Sequence, residues 1–490
     1  MSLILAIDQG TTNTKALLVD GEGKVVHRAS SPLHVLHPQP DFVEQDPMAI
    51  LQSVDAVIAD CVGVGEEIAA VAISNQRETV MAWDRKTGAA IDNAMTWQCR
   101  RAAGICERLR SARRDGLLRE RTGLGIDPLF SAAKLAWLLE TTPGLRRRAE
   151  AGEICFGTMD AWVMFHLTRG KVHATDHSNA ARTQMLNIHT LRWDAELLEV
   201  FGIPAAALAE LHTSSGLFAE CVIAGLEAVP ILAALGDSHA ALAGYGSSAA
   251  GTVKATYGTG SSLMTLTRSA VAKPDSHLSQ TVAWTTSART HYALEGNISM
   301  TGSAVQWLGE FLGLANPVED AVALAASVSD SAGVHFVPAM SGLGAPHWDS
   351  AARGTITGLS RTSTRAHLAR AAVEAIAFQV RDAFDAMEAE GGVRLPALHA
   401  DGGATRNDAL MQFQADVLGR PVLRAATEDL SALGAAKLAG VELGWWPSLE
   451  SLPCSTTSFE PRMSASEREG RYGAWSHAVA QARLRPEVLA

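Results

Sequence analysis

The sequence predicts an α/β protein built from two similar halves that face one another across a cleft. Three observations lead there. Residues 4–20, ILAIDQGTTNTKALLVD, are two apolar runs joined by a tight polar turn, and runs of that length bounded by turn residues read as a buried strand and its hairpin partner. Residues 253–267, VKATYGTGSSLMTLT, repeat the scheme of strand, glycine and threonine turn, and strand. The chain of 490 residues is 47% hydrophobic and 19% charged, enough to bury the cores of two large domains.

The elements follow in chain order. In the first turn, Gly10 lets the backbone approach a ligand closely, and Thr11 and Thr12 with successive N–H groups point at phosphate oxygens. Asp8 is placed to hold a magnesium ion through water, and Lys15 adds a positive charge. An ordinary hairpin with a polar turn would carry the same residues. At 74–80, SNQRETV sets Arg77 beside Glu78 after an apolar segment, and Trp97 follows in TWQCRR. Arg donates to and Glu accepts from vicinal hydroxyls while an indole covers a carbon chain, so the three suit a polyol. A solvated surface pair is the plainer account of an adjacent Arg and Glu.

An apolar run then ends in GDSHAA, which puts Asp237 at a strand end and a helix start, where a carboxylate can face a cleft and take a hydroxyl proton. Capping the next helix is the alternative role. The small residues YGSSAAG that follow mark the boundary between halves, giving domains of 1–246 and 247–490. In the second half, Leu368, Ala372, Ala375, Ile376, Phe384 and Met387 recur at helical spacing, predicting a helix over 364–390 that Gly391 and Gly392 stop. At 398–407, LHADGGATRN again joins an apolar segment to Asp and paired glycines, either flat against an adenosine or as a common turn.

Composition narrows the function. With 41 basic and 52 acidic residues the net charge is −11, so no global positive field recruits nucleic acid or an anionic membrane. No apolar run reaches the roughly twenty residues of a membrane span and no secretion signal opens the chain, which predicts a cytoplasmic protein without membrane insertion. Six scattered cysteines lack any C-x-x-C pair and read as buried reduced thiols, and the sixteen histidines lack metal-site spacing. Neither a G-x-G-x-x-G turn after the first strand nor a G-x-x-x-x-G-K-S/T loop is present, which argues against a nicotinamide dehydrogenase and a Walker-type nucleotide site.

Taken in order, DQGTT (8–12), NQRET (75–79), WQCRR (97–101), FGTMDAW (156–162), GD (236–237), YGTG (257–260), ALEG (293–296), GLGAPHWD (342–349), DGGA (401–404) and LMQFQAD (410–416) resemble the FGGY family of carbohydrate kinases over nearly the whole chain. Within that family the likeness is strongest to members that phosphorylate glycerol. The resemblance implies two actin-like or hexokinase-like (ribonuclease H-like) ATPase domains closing over ATP, Mg2+ and a small polyol or sugar, in a homo-oligomer such as a dimer or tetramer. It implies that Thr11, Thr12, Asn13 and Lys15, with Thr259, Gly302, Gln306, Gly403 and Asn407 from the other half, meet the nucleotide, with Asp8 near the metal. Asp237 matches the catalytic base, and Arg77, Glu78 and Trp97 match the residues that hold glycerol.

Three positions depart from the glycerol pattern: Leu129 stands for a tyrosine, Ser238 for a glutamine and Ser262 for a phenylalanine. A phenol donor is lost and two side chains shorten, so the pocket is expected to be roomier. The acceptor expected is glycerol, phosphorylated to glycerol 3-phosphate, with a longer polyol or ketose of the erythritol, threitol, pentitol or xylulose type as the alternative. An ATPase switch of the actin and Hsp70 type shares the phosphate turns but has no use for Arg77, Glu78 and Trp97.

Overall fold

The computed structural model describes residues 2–270, 276–340 and 342–484. The apolar run at the start becomes strand β1 (Ser2–Gln9), buried along most of its length, and it turns back into β2 (Asn13–Val19) and then β3 (Val25–Pro32). With β4 (Glu67–Asn75), β5 (Ser215–Glu220) and β6 (Pro230–Gly236) they form one sheet in the order β5-β6-β4-β1-β2-β3. The hairpins β1-β2 and β2-β3 are antiparallel, whereas β1-β4 and β4-β6 are parallel. Both faces of β1 are covered, which is why it reads as a continuous apolar run rather than an alternating one.

Helix α1 (Asp237–Gly244) follows β6 without a gap. The second sheet repeats the plan: β7 (Val253–Tyr257), β8 (Ser261–Thr267), β9 (Ser279–Thr285), β10 (Thr290–Ile298), β11 (Leu398–Asp401), β12 (Val422–Ala425) and β13 (Thr456–Phe459) lie in the order β9-β10-β8-β7-β11-β12-β13. The triplet β10-β8-β7 is antiparallel and β7-β11-β12 parallel, so the two sheets share a five-strand core of an antiparallel triplet followed by two parallel strands, with further antiparallel strands at their edges. This duplicated arrangement is the two-domain actin-like, ribonuclease H-like fold.

The predicted long helix spans Arg365–Gly391, and Gly392 closes it in the left-handed conformation at φ 59°, its N–H donating to the Glu388 carbonyl at 3.1 Å. The helix lies in the core of the second half, beside Tyr257, Leu263 and Ile298. The first half also carries a second, four-stranded sheet of Glu44–Gln45, Ala94–Met95, Val80–Asp84 and Ile154–Thr158, of which Glu44–Gln45 precedes β4 and the other three strands lie between β4 and β5; Trp97 follows Ala94–Met95 in chain order. The segment after α1 is held in place rather than loose, since the Ser248 N–H donates to Glu450 at 2.9 Å. Five of the six cysteines are buried and all are free, with Cys454 partly accessible.

The halves share a core. A helix of the second half, Leu430–Glu442, packs Ala432, Ala435, Ala436 and Ala439 against Ile4, Ala6, Ala72 and Ala240 of the first. Its small side chains allow close approach to α1, and a Cβ on Gly434 would run into the Ala240 carbonyl oxygen. Gly434→Ala is therefore expected to cost about 3 kcal/mol or more by overpacking, lowering the midpoint of thermal unfolding; an unchanged midpoint would remove this contact as a determinant of how the halves join.

Candidate active site

Asp237 sits where β6 ends and α1 begins, at the first helical position, not at the cap. Gly236 precedes it because a Cβ there would lie 2.6 Å from Arg77 Cγ and 2.9 Å from His239 Nδ1. The Asp237 carboxylate is 39% exposed and faces Arg77, with Nε 3.3 Å from Oδ1. Burial of its surroundings raises this carboxyl above the ordinary range, the Arg77 guanidinium opposes the rise, and Glu78 adds to it. The Ser238 N–H donates to Asp237 Oδ1 at 2.6 Å, and from the other half the Ser431 hydroxyl donates to the Asp237 carbonyl at 3.1 Å.

Arg77 and Glu78 are buried, and the chain turns sharply between them: Glu78 has φ 60°, and the Thr79 N–H donates to the Arg77 carbonyl at 2.7 Å. The turn sends the two side chains to different partners. Arg77 Nη2 meets Glu295 Oε1 at 2.7 Å, while Glu78 Oε1 meets Arg182 Nε at 2.5 Å. Arg182 Nη1 lies 2.7 Å from Glu295 Oε2, and the Ser262 hydroxyl donates to Glu295 Oε1 at 3.0 Å. A continuous chain of charges, Asp237–Arg77–Glu295–Arg182–Glu78, thus spans both halves. Burial alone would raise the Glu295 carboxyl, but Arg182 and Arg77 outweigh it and hold the group well below the carboxylate range. Arg77 Nη1 is buried and takes no acceptor among the described residues.

Asp8, on β1, lies beside this chain. Its carboxyl is pushed up to about 6 by burial and by the charge of Asp237, against a hydrogen bond of 2.8 Å donated by Ser74 and the charge of Lys15. In the adjoining turn, Thr11 donates to Gln76 at 3.3 Å and receives the Trp97 indole N–H at 2.9 Å; its carbonyl takes Gln45 Nε2 at 2.7 Å. Asn13 reaches Thr12 at 3.5 Å, and Lys15 pairs with Asp429 of the second half at 3.6 Å. Trp97 stays 40% exposed, an indole face next to the Gly10–Thr12 turn. Buried Lys134 donates to the carbonyls of Thr96 and Leu129 at 3.0 and 2.7 Å, tying together the loops of Trp97 and Leu129.

The second turn, β7 to β8, exposes Thr259, whose carbonyl receives the N–H groups of Thr301 and Ser303 at the start of α2 (Gly302–Phe311). Gly302 is the first residue of that helix, and Gln306 lies one turn on, donating to Glu310 at 3.0 Å. Gly402 packs on the Tyr257 backbone with φ 95°, Gly403 opens a short 3-10 turn, and Asn407 caps the helix Asp408–Leu418 by accepting the Leu410 N–H at 3.1 Å. The structure therefore gathers Asp8, Thr11, Arg77, Glu78, Trp97, Asp237 and Ser262 through direct contacts or shared partners, and gathers Thr259, Gly302, Gly403 and Asn407 around β7 and β11. A separate groove of about 1130 Å³ between the helix Pro47–Val62 and the 85–89 loop contains none of these residues. The sequence does not single out Arg182 or Asp429 as parts of the site, and it offers Gln76 and Glu295 only inside NQRET and ALEG; two buried acids beside one arginine would have signalled a second cation.

Models of known families match both halves of this geometry: the N-terminal domain of the FGGY family of carbohydrate kinases over residues 3–244 and its C-terminal domain over 253–443. The chain belongs to the FGGY family of carbohydrate kinases. It is an ATP-dependent carbohydrate or polyol kinase. Among curated relatives, a glycerol kinase of Alkalilimnicola ehrlichii is 46% identical over 98% of each chain, and an apulose kinase of Pectobacterium atrosepticum is 47% identical over 99% of each. Among solved structures, Plasmodium falciparum glycerol kinase with ADP superposes with a TM-score of 0.92 at 31% identity over 99% of each chain. A xylulose kinase from Rhodospirillum rubrum gives 0.86 at 26% identity over 98% of each. No helix among the described residues is long and apolar enough to cross a membrane.

Proposed function

We propose that this FGGY kinase transfers the γ-phosphoryl group of ATP to a terminal hydroxyl of a small polyol, glycerol first, with Asp237 as general base. The observation that carries the reading is Asp237 held at a strand end beside Arg77, itself anchored on buried Glu295. Arg77, beside Asp237, and the Trp97 face orient the acceptor, and Asp237 accepts the proton as the hydroxyl oxygen attacks phosphorus. The two turns at Thr11–Asn13 and Thr259, with Lys15, Gly302, Gln306, Gly403 and Asn407, position the nucleotide. Closure of the halves excludes competing water.

The residues present fit a magnesium ion that arrives with the nucleotide. Asp8 and Asp237 crowd negative charge, and Asp8 spends one oxygen on Ser74, leaving the other for the cation or its water. Among the described residues no group of three or more His, Cys, Asp or Glu is arranged as a metal cage, as suits an ion that keeps its waters and phosphate ligands. When bound, Mg2+ neutralises charge on the phosphate oxygens. Because Asp8 is protonated below about pH 6, the cation must displace a proton there. Mg2+ titration of the ATP-bound protein should show affinity falling about tenfold per pH unit below 6, and flat affinity between pH 5 and 7.5 would remove Asp8 from the metal site.

A second reading, a longer polyol or ketose as acceptor, is favoured by Leu129, Ser238 and Ser262 and by the apulose kinase relative. ADP release from MgATP against glycerol, erythritol, threitol, xylitol, ribitol, xylulose and ribulose, with an acceptor-free control, separates the two readings. It also tests both against an acceptor-independent ATPase.

A further inference from the structure

The register of the second sheet defines one face of the cleft. Thr256 on β7 lies opposite Ser262 on β8, and Ser262 lies opposite Asn297 on β10, so the three side chains share a face. One row further from the turn, Lys254, Met264 and Glu295 are aligned in the same way. This face is turned toward the first half, since Met264 packs with Ile4 and Leu17 and Glu295 pairs with Arg77 and Arg182. The alternate residues Tyr257, Leu263 and Ile298 point into the core of the second half. Thr256, Ser262 and Asn297 are each partly exposed, standing between the buried Glu295 and the second phosphate turn.

The hydrogen-bond roles left open in this row are complementary. Thr256 Oγ1 already accepts from Lys254 Nζ at 2.8 Å, which leaves its O–H to donate. Ser262 donates to Glu295, which leaves its lone pairs to accept. No protein group among the described residues bonds the Asn297 side chain, whose amide both donates and accepts. A sugar hydroxyl needs a donor and an acceptor together, and this row offers both on the cleft face, starting at Ser262, which shares the acceptor Glu295 Oε1 with Arg77.

We propose that Thr256, Ser262 and Asn297 form a subsite that reads the additional hydroxyls of a four- or five-carbon polyol or ketose, making Asn297 a specificity-determining residue. The inference rests on the kinase reading above. The test compares kcat/KM for glycerol with kcat/KM for erythritol, xylitol, xylulose and ribulose in the wild type, Asn297→Ala and Thr256→Val, with thermal unfolding of each recorded alongside because Thr256→Val also removes the acceptor of buried Lys254. The expected result is turnover of at least one longer acceptor, with its kcat/KM relative to glycerol falling about tenfold in each variant. A ratio unmoved within twofold in both variants overturns the subsite. Turnover of glycerol alone overturns it while leaving the kinase reading standing, and no phosphorylated product from any acceptor overturns both.

Discussion

Asp237→Asn lowers kcat by about a thousandfold or more while the affinity for ATP stays within twofold. General-base catalysis is worth about 10²–10⁴, and here the amide also loses the charge that opposes Arg77 at 3.3 Å. The substitution keeps the shape of the strand-to-helix joint, and an amide oxygen can still accept the Ser238 N–H, so the turns at Thr11 and Thr259, proposed to hold the nucleotide, remain built. Single-turnover phosphoryl transfer and ATP titration of the same preparation separate the two effects. Near-normal transfer by the variant would remove Asp237 as the base, and a parallel loss of ATP binding would assign it a structural role instead.

Glu295→Gln has the second large effect. Glu295 is fully buried and compensates two guanidiniums, Arg77 and Arg182, which are themselves 9% and 1% exposed. Removing one partner of a buried pair leaves charge without a counterion and costs about 3–5 kcal/mol. Glu295 also sits in the second half while Arg77 and Arg182 sit in the first, so the loss loosens the cleft as well as the fold. The expected outcome is a midpoint of thermal unfolding lower by roughly 5–10 °C, together with a rise in KM for the acceptor as Arg77 is released. A stable variant with unchanged KM would mean that Arg77 is positioned by Asp237 and its own turn after β4 alone. Since both arginines keep the Glu295 carboxyl well below its usual range, the pair persists through the working pH range, and mild acid should not reproduce the mutation.

The two hairpins with polar turns are legible because each is a local event: an apolar run, a glycine and hydroxyl bend, and a second apolar run, all within about fifteen residues of sequence. The helix Arg365–Gly391 was legible for the same reason, with a helical apolar period and glycines at its end. Asp237 was readable as a strand-end acid, and the structure resolves its alternative role by placing Gly236 at the cap. The charge chain was not readable, because it joins Arg77 to Glu295 and Glu78 to Arg182 across separations of 218 and 104 residues. Local reasoning favoured a solvated pair of neighbours at 77 and 78, whereas the turn at Glu78 divides them and burial forces each to find a distant partner. The crossing of Leu430–Glu442 onto the first sheet was equally hidden, since its small residues announce close packing without naming the surface they meet.

The measurement that bears most directly on the account is phosphorus NMR of the wild-type protein with MgATP, with and without a polyol acceptor. The expected result is a new phosphomonoester on a terminal carbon, formed in step with ADP and only when acceptor is present. Release of inorganic phosphate at the same rate with and without acceptor would contradict it and leave an ATPase switch in its place.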